Sequence, residues 1–206
     1  SGSGNANWTG ANGAINGAYD DGTFAIFQGA AGNVSIDTSL GDVTASGLQF
    51  VTNDYVIDGD TLTLTGGAQS TIRVGDGTAG GAGVNATIAA DIAGATQLVK
   101  TDLGTLVLSG DNTYTGGTSL ANGTLVLGSS DALGTGTLSA ADGTQIEYRS
   151  LTGIVSIANA IELTGAIDFA VDGADAFQNG RISGSGSVQK LGFGYLNLTG
   201  FNSYSG

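Results

Sequence analysis

Histidine, cysteine, proline and methionine are all absent from the 206 residues. Without histidine there is no Ser-His-Asp or Cys-His catalysis and no imidazole-ligated metal. Without cysteine there is no disulfide framework, thiol nucleophile or iron–sulfur cluster. Basic residues number only 5 against 18 acidic ones, a formal net charge of −13. That balance lacks the basic footprint of a nucleic-acid partner. Charged residues make up 11% of the chain, less than half the usual ~25% of soluble domains. No apolar run approaches 18 residues, so no helix here spans a membrane. Nothing at the N-terminus reads as a secretory signal. The missing cysteine suits either a reducing compartment or an exported chain, and the acidity, scarce lysine and Thr/Asn/Gly-rich surface lean toward export.

What the chain has is glycine, 38 residues of it, and short aliphatic runs. Collagen is excluded by the lack of a Gly-X-Y period and of proline. Disorder is excluded because β-formers recur along the whole length. Runs of four to six residues alternate apolar with Thr, Ser, Asn or Gln between Gly, Asn and Asp. Phe24–Phe27, Leu48–Val51, Tyr55–Ile57, Thr61–Thr65, Thr71–Val74, Thr124–Leu127 and Thr144–Tyr148 are examples. This is the period-2 signature of half-buried strands. No long window has helical spacing; the nearest rival is Asp168–Phe177, interrupted by Gly173.

The chain also repeats itself. Lys100–Gly116 reads KTDLGTLVLSGDNTYTG and Lys190–Gly206 reads KLGFGYLNLTGFNSYSG, 90 residues apart without a gap. Eight identities align: Lys100 with Lys190, Gly104 with Gly194, Leu106 with Leu196, Leu108 with Leu198, Gly110 with Gly200, Asn112 with Asn202, Tyr114 with Tyr204 and Gly116 with Gly206. In the first copy, the alternation sends Leu106 and Leu108 inward and Thr105 and Val107 outward. Gly110 is expected to end the strand with a left-handed residue. Asn112 is expected at a turn, bonding neighbouring backbone or taking a left-handed conformation. Tyr114 is expected to cover the corner with its hydroxyl in water. The next strand signal, Gly123–Leu127, follows about 19 residues later.

A period near 20 residues suits one coil of a parallel β-helix, stacked about 4.8 Å from the next. The 90-residue offset would then span about four coils. The chain would make on the order of ten coils, a rod of roughly 50 Å. The absence of proline fits continuous backbone ladders. A β-sandwich stays open as the alternative, because Asn12-Gly13, Asn16-Gly17, Asp21-Gly22, Asp58-Gly59, Asn122-Gly123 and Asp142-Gly143 are all hairpin-type pairs.

Candidate chemistry is thin. Asp20/Asp21, Asp58/Asp60 and Asp168/Asp172/Asp175 are the paired acids a glycosidase would need, but Asp-Gly-Asp reads first as turn chemistry. Gly75–Gly81 is Gly/Asp-rich like calcium-binding coils, yet it holds one Asp where the repeat needs one per coil, so it reads as a flexible loop leaving the stack. No catalytic, cofactor-binding or metal-ligating set is assigned. Trp8, the single tryptophan, is expected to cap the N-terminal end of the stack.

The run GTLVLSGDNTYTGGT over Gly104–Thr118, with Lys100 before it and Gly123-Thr124-Leu125 after, resembles the passenger-associated repeat of bacterial autotransporters, the type V secretion system. Lys190–Gly206 resembles a truncated second copy, so the repeats are expected over about 98–128 and 188–206. The first copy departs from the pattern at Asp102, where the second has Gly192, which puts one turn in doubt. The resemblance implies an elongated, all-β, right-handed parallel β-helix over 1–206, one passenger segment of a longer polypeptide. It implies a non-catalytic stalk that supports secretion, folding and surface display, with adhesion as a further role. A glycan- or host-surface-binding module is the alternative reading, and a polysaccharide-cleaving β-helix enzyme a more remote one. The implied partner is the passenger's own C-terminal β-barrel translocator, with host surfaces or sibling passengers as further partners. The implied location is the outer membrane surface of a Gram-negative cell, or the medium.

Overall fold

The computed structural model describes residues 20–149 and 153–206. Twenty-three short strands run through them, every pair parallel. The described residues wind as a three-sided β-solenoid of eight coils and begin a ninth. Side one is a nine-stranded sheet running from Phe24–Phe27 through Gln97–Thr101 and Thr118–Leu120 to Ser203–Tyr204. Side two is an eight-stranded sheet from Asn33–Ile36 through Thr105–Leu108 and Thr124–Leu127 to Val188–Leu191. Side three is broken into Val43–Ala45, Leu62–Leu64 and Ile92–Ala93, then Val155–Ile157, Ala176–Gln178 and Leu196–Leu198.

Parallel pairing throughout replaces the sandwich alternative. The Gly in Asp21-Gly22, Asp58-Gly59, Asn122-Gly123 and Asp142-Gly143 does adopt the left-handed backbone, with φ between +71° and +92°. It bends the chain from one side to the next instead of reversing it, so the local signal is the same and the long-range partner differs. Asn12-Gly13, Asn16-Gly17 and Trp8 lie outside the described residues. Some coils of the described residues are longer than 20 residues: the register offset on side one is 28 residues between Gln69 and Gln97. The excess in that coil includes Gly75–Val84, an excursion from the stack that makes hydrogen bonds of its own. Its 3₁₀ turn, Ala79–Gly83, is capped by Thr78, and the Asp76 carboxylate accepts the Thr78 N–H (2.9 Å) and hydroxyl (2.8 Å). The helical rival over Asp168–Phe177 is two strands, Ile167–Ala170 and Ala176–Gln178.

Alternation sets the core. Residues of one inward position stack coil upon coil, as Ala86, Leu106, Leu125, Ile146 and Phe169 do on side two; all are buried. Near the N-terminal end, Phe27 stacks on Phe50 at 4.8 Å between ring centres and Tyr55 packs against both. Corners break the ladder and leave carbonyls without a strand partner, which is costly when buried. Polar side chains fill that gap. The Tyr55 hydroxyl donates to Gln28 and Ala30 carbonyls (2.8 and 2.9 Å). Gln178, wholly buried, donates to Asn159 and Gly180 carbonyls (2.8 and 3.1 Å) and accepts the Tyr148 hydroxyl (3.0 Å).

Candidate functional site

The first copy of the repeat begins on side one. Lys100 belongs to an inward column, between Ile72 and Leu120 of the neighbouring coils. An ammonium there would face aliphatic groups, so its stem crosses the apolar interior and its head turns to the corner. Nζ donates to the carbonyls of Asp102 (2.6 Å), Gly104 (2.5 Å) and Asn122 (2.9 Å). Three donors thus meet three acceptors, two in its own coil and one in the next. Lys100 has no exposed surface. Burial pushes its pKa down from 10.5 to about 8, against the Asp102 carboxylate, which favours the charged form.

Asp102 keeps the corner that its lack of glycine put in doubt. Its φ is +62°, matching +78° at Gly192; aspartate is among the few side chains that adopt this region singly. Its carboxylate pairs with Arg73 at 3.1 Å. Gly104 then passes so close to the previous coil that a Cβ would sit 2.5 Å from the Val84 carbonyl oxygen. Leu106 and Leu108 are fully buried as the alternation predicts. Val107 faces outward in register with Val126, and both are nonetheless buried.

Gly110 corrects one expectation. It is not among the left-handed glycines; the small residue is needed because a Cβ would lie 2.5 Å from the Ala90 carbonyl oxygen. Asn112 bonds backbone as expected, but across coils: its Oδ1 accepts the Ile92 N–H (2.8 Å) below and its Nδ2 donates to the Ala132 carbonyl (2.6 Å) above. One amide therefore joins three coils. Tyr114 is a second correction. Its ring is fully buried and its hydroxyl bonds buried Thr118 Oγ1 at 2.6 Å, not water. Burial raises its pKa well above the ordinary tyrosine value, as it does for Tyr148. Gly116 lies against the backbone of Thr96 and Gln97.

The second copy has the same local geometry. Asn202 accepts the Ile182 N–H at 2.8 Å, Gly194 donates to the Val171 carbonyl at 2.9 Å where Gly104 donates to Val74 at 2.9 Å, and Gly200 and Gly206 press on the Gly180 and Gly186 backbone. It sits on different sides, however. Lys100 is on side one and Lys190 on side two, in register with Phe169. Leu106 and Leu108 are on side two, Leu196 and Leu198 on side three. Tyr204 is on side one, stacked on Gly184. Four full coils carry Lys100 to Gly184, and Lys190 is one side further. The offset is therefore four and one-third coils, not four. In this copy Lys190 is exposed and its Nζ reaches two carbonyls, Leu191 (2.6 Å) and Gly192 (2.9 Å).

The paired acids form no such centre. Asp58 accepts the Asn33 amide (2.7 Å), Asp60 accepts Thr38 N–H and hydroxyl (2.9 and 2.8 Å), and Asp175 accepts the Tyr195 N–H (3.0 Å). Each ties one coil to the next. The inter-coil lysine and asparagine contacts are what sequence reasoning missed; the only signal for them was the recurrence of a lysine and an asparagine at one spacing among apolar residues.

A family model described as passenger-associated-transport-repeat matches residues 98–127 and 188–206. The chain is 48% identical over 199 residues to a protein named adhesin BmaC autotransporter, from Brucella suis biovar 1 (strain 1330). That match covers 96% of this chain and 6% of the relative, so the chain spans a small part of the relative's length. No solved structure matches significantly. The chain thus carries two passenger-associated transport repeats and resembles, over nearly its whole length, one segment of an autotransporter.

Proposed function

We propose that this segment is a non-catalytic stretch of passenger stalk whose repeats couple the closing of one coil to the arrival of the next. The observation that carries this reading is the sharing of buried polar groups between coils. Lys100 draws its third acceptor, Asn122, from the following coil, and Asn112 draws Ala132 from it. A coil that has just left the membrane holds incompletely paired groups until its successor docks, so each addition is favoured by more than its apolar area. The partner in this reading is the passenger's own C-terminal β-barrel translocator. The location is the exposed outer membrane surface or the medium. Lys100, Gly104, Leu106, Leu108, Gly110, Asn112, Tyr114 and Gly116, with their counterparts from Lys190 to Gly206, are the residues that serve it.

The test is surface display of the parent autotransporter carrying Lys100→Met or Asn112→Leu, read by antibody labelling of intact cells. Both variants lower displayed passenger several-fold while the barrel inserts normally. Leu163→Ala, a core truncation outside the repeats, is the control for stability alone. If it lowers display as much at matched loss of stability, the repeats have no special part in export. A second reading, adhesion through contact with host surfaces or sibling passengers, is favoured by the adhesin name of the Brucella relative.

A further inference from the structure

Among the described residues, side three has no strands between Ile92–Ala93 and Val155–Ile157. In coils four and five the chain crosses this side over 112–115 and 131–135, tied by isolated backbone bonds such as Thr113 to Ile92 (2.8 Å) and Thr135 to Tyr114 (3.1 Å). The surface dips there. An open depression of about 300 Å³ is lined by Ser130, Asp131, Thr135, Ser156, Ala158 and Asn159, together with Gly134. Its side chains are hydroxyls, an amide and a carboxylate interspersed with aliphatic groups such as the Ala158 and Thr135 methyls, and no lysine or arginine lines it.

Its C-terminal wall leads onto aromatic rings. Ser156 of the wall, Phe177 and Asn197 are register partners on successive coils and face outward, since Ala176 and Gln178 point inward and are buried. Tyr195 stands at the leading corner of coil eight, one residue before the strand Leu196–Leu198. The polar groups between are fixed by one another. Asn179 donates to Ser156 Oγ (2.8 Å), Thr199 donates to Asn179 (2.7 Å), and Ser130 Oγ accepts the Ser156 N–H (3.1 Å). From Asp131 to Tyr195 is three coil spacings, about 14 Å along the axis.

We propose that this face of side three, from coil five to coil eight, binds an uncharged oligosaccharide. The apolar C–H faces of sugar rings suit Phe177 and Tyr195, and sugar hydroxyls suit a rigid array of hydroxyls, amides and a carboxylate. Asp131, Asp172 and Asp175 are exposed around it, and the chain's net charge is −13. Sulfated, sialylated or uronate chains would be repelled. This site stands apart from the stalk role: a passenger can be exported normally with the groove inactive.

The experiment titrates the purified chain by calorimetry with cello-, malto-, manno- and xylohexaose, a heparin hexasaccharide and oligolysine. At least one neutral hexasaccharide binds and the heparin fragment does not. Phe177→Ala, Tyr195→Ala and Asp131→Ala each weaken that binding by about fivefold or more, while Phe24→Ala on side one leaves it unchanged. Circular dichroism shows that each variant keeps its sheet, and Tyr195→Ala carries the test if Phe177→Ala does not fold. Absence of binding to every neutral hexasaccharide at millimolar concentration overturns the proposal. So does preference for heparin or oligolysine, or binding that the three variants leave intact.

Discussion

A lysine inside an aliphatic column is expensive unless every N–H finds an acceptor, and Lys100 meets that condition with three carbonyls. Lys100→Met keeps the stem and removes the donors, leaving corner carbonyls unsatisfied. We expect it to destabilise the fold by about 2–3 kcal/mol in urea titration. The pH dependence follows from the depressed pKa. Between about 8 and the unperturbed 10.5, the unfolded chain holds more protons than the folded one, so stability rises with pH across that window. Above about pH 10 the sign reverses. Tyr114 and Tyr148 keep their protons when folded, their pKa values being raised, and lose them when unfolded. Urea midpoints at pH 7, 9, 10 and 11 should therefore pass through a maximum. The rising limb should vanish in Lys100→Met; parallel curves for the two proteins would contradict this. Tyr114→Phe should cost about 1–2 kcal/mol, because buried Thr118 loses its partner. Adding Thr118→Val should recover part of that loss.

At the scale of the element, corners are more demanding than strands. Gly110→Ala places a Cβ 2.5 Å from the Ala90 oxygen, which only a backbone shift can relieve, at about 1–3 kcal/mol. Gly32→Ala meets nothing within 4 Å and should leave the melting temperature unchanged or slightly higher. The pair of melts checks whether close approach, rather than backbone freedom, dictates glycine at position 110. The strands themselves were legible. Thr124–Leu127 and Phe24–Phe27 appear with the bounds their alternation predicts, because period 2 is a property of the chain alone. Tyr114 was misread because an amphipathic ring is equally suited to a wet corner or a buried one, and the choice is made by Thr118, four residues on. Lys100 gave no local sign of burial at all. Its acceptors include Asn122, 22 residues away, and no local pattern encodes that. The groove on side three was invisible for a like reason: it exists where strands fail to pair over 112–115 and 131–135, and those segments read no differently from ones that do pair.

The whole molecule is a one-dimensional stack in which each coil touches only its neighbours. Protection from hydrogen exchange should accordingly differ from place to place along the stack. Amides of Leu125–Leu127, held between coils on both sides, should exchange orders of magnitude more slowly than those of Val155–Ile157, whose strand pairs on one side only. Uniform protection measured by mass spectrometry would mean that the coils open together. The axial stack also gives meaning to the mismatch between the two copies. The duplicated unit is a face of the prism, not a circuit of it, because Lys100 and Lys190 occupy neighbouring faces. Joining the chain at these two equivalent lysines would excise 90 residues and still leave every strand a compatible neighbour. Everything beyond the join would be swung by 120° about the long axis. Shortening such a rod therefore changes its compass bearing as well as its reach: any surface beyond the join would point to another quarter of its surroundings.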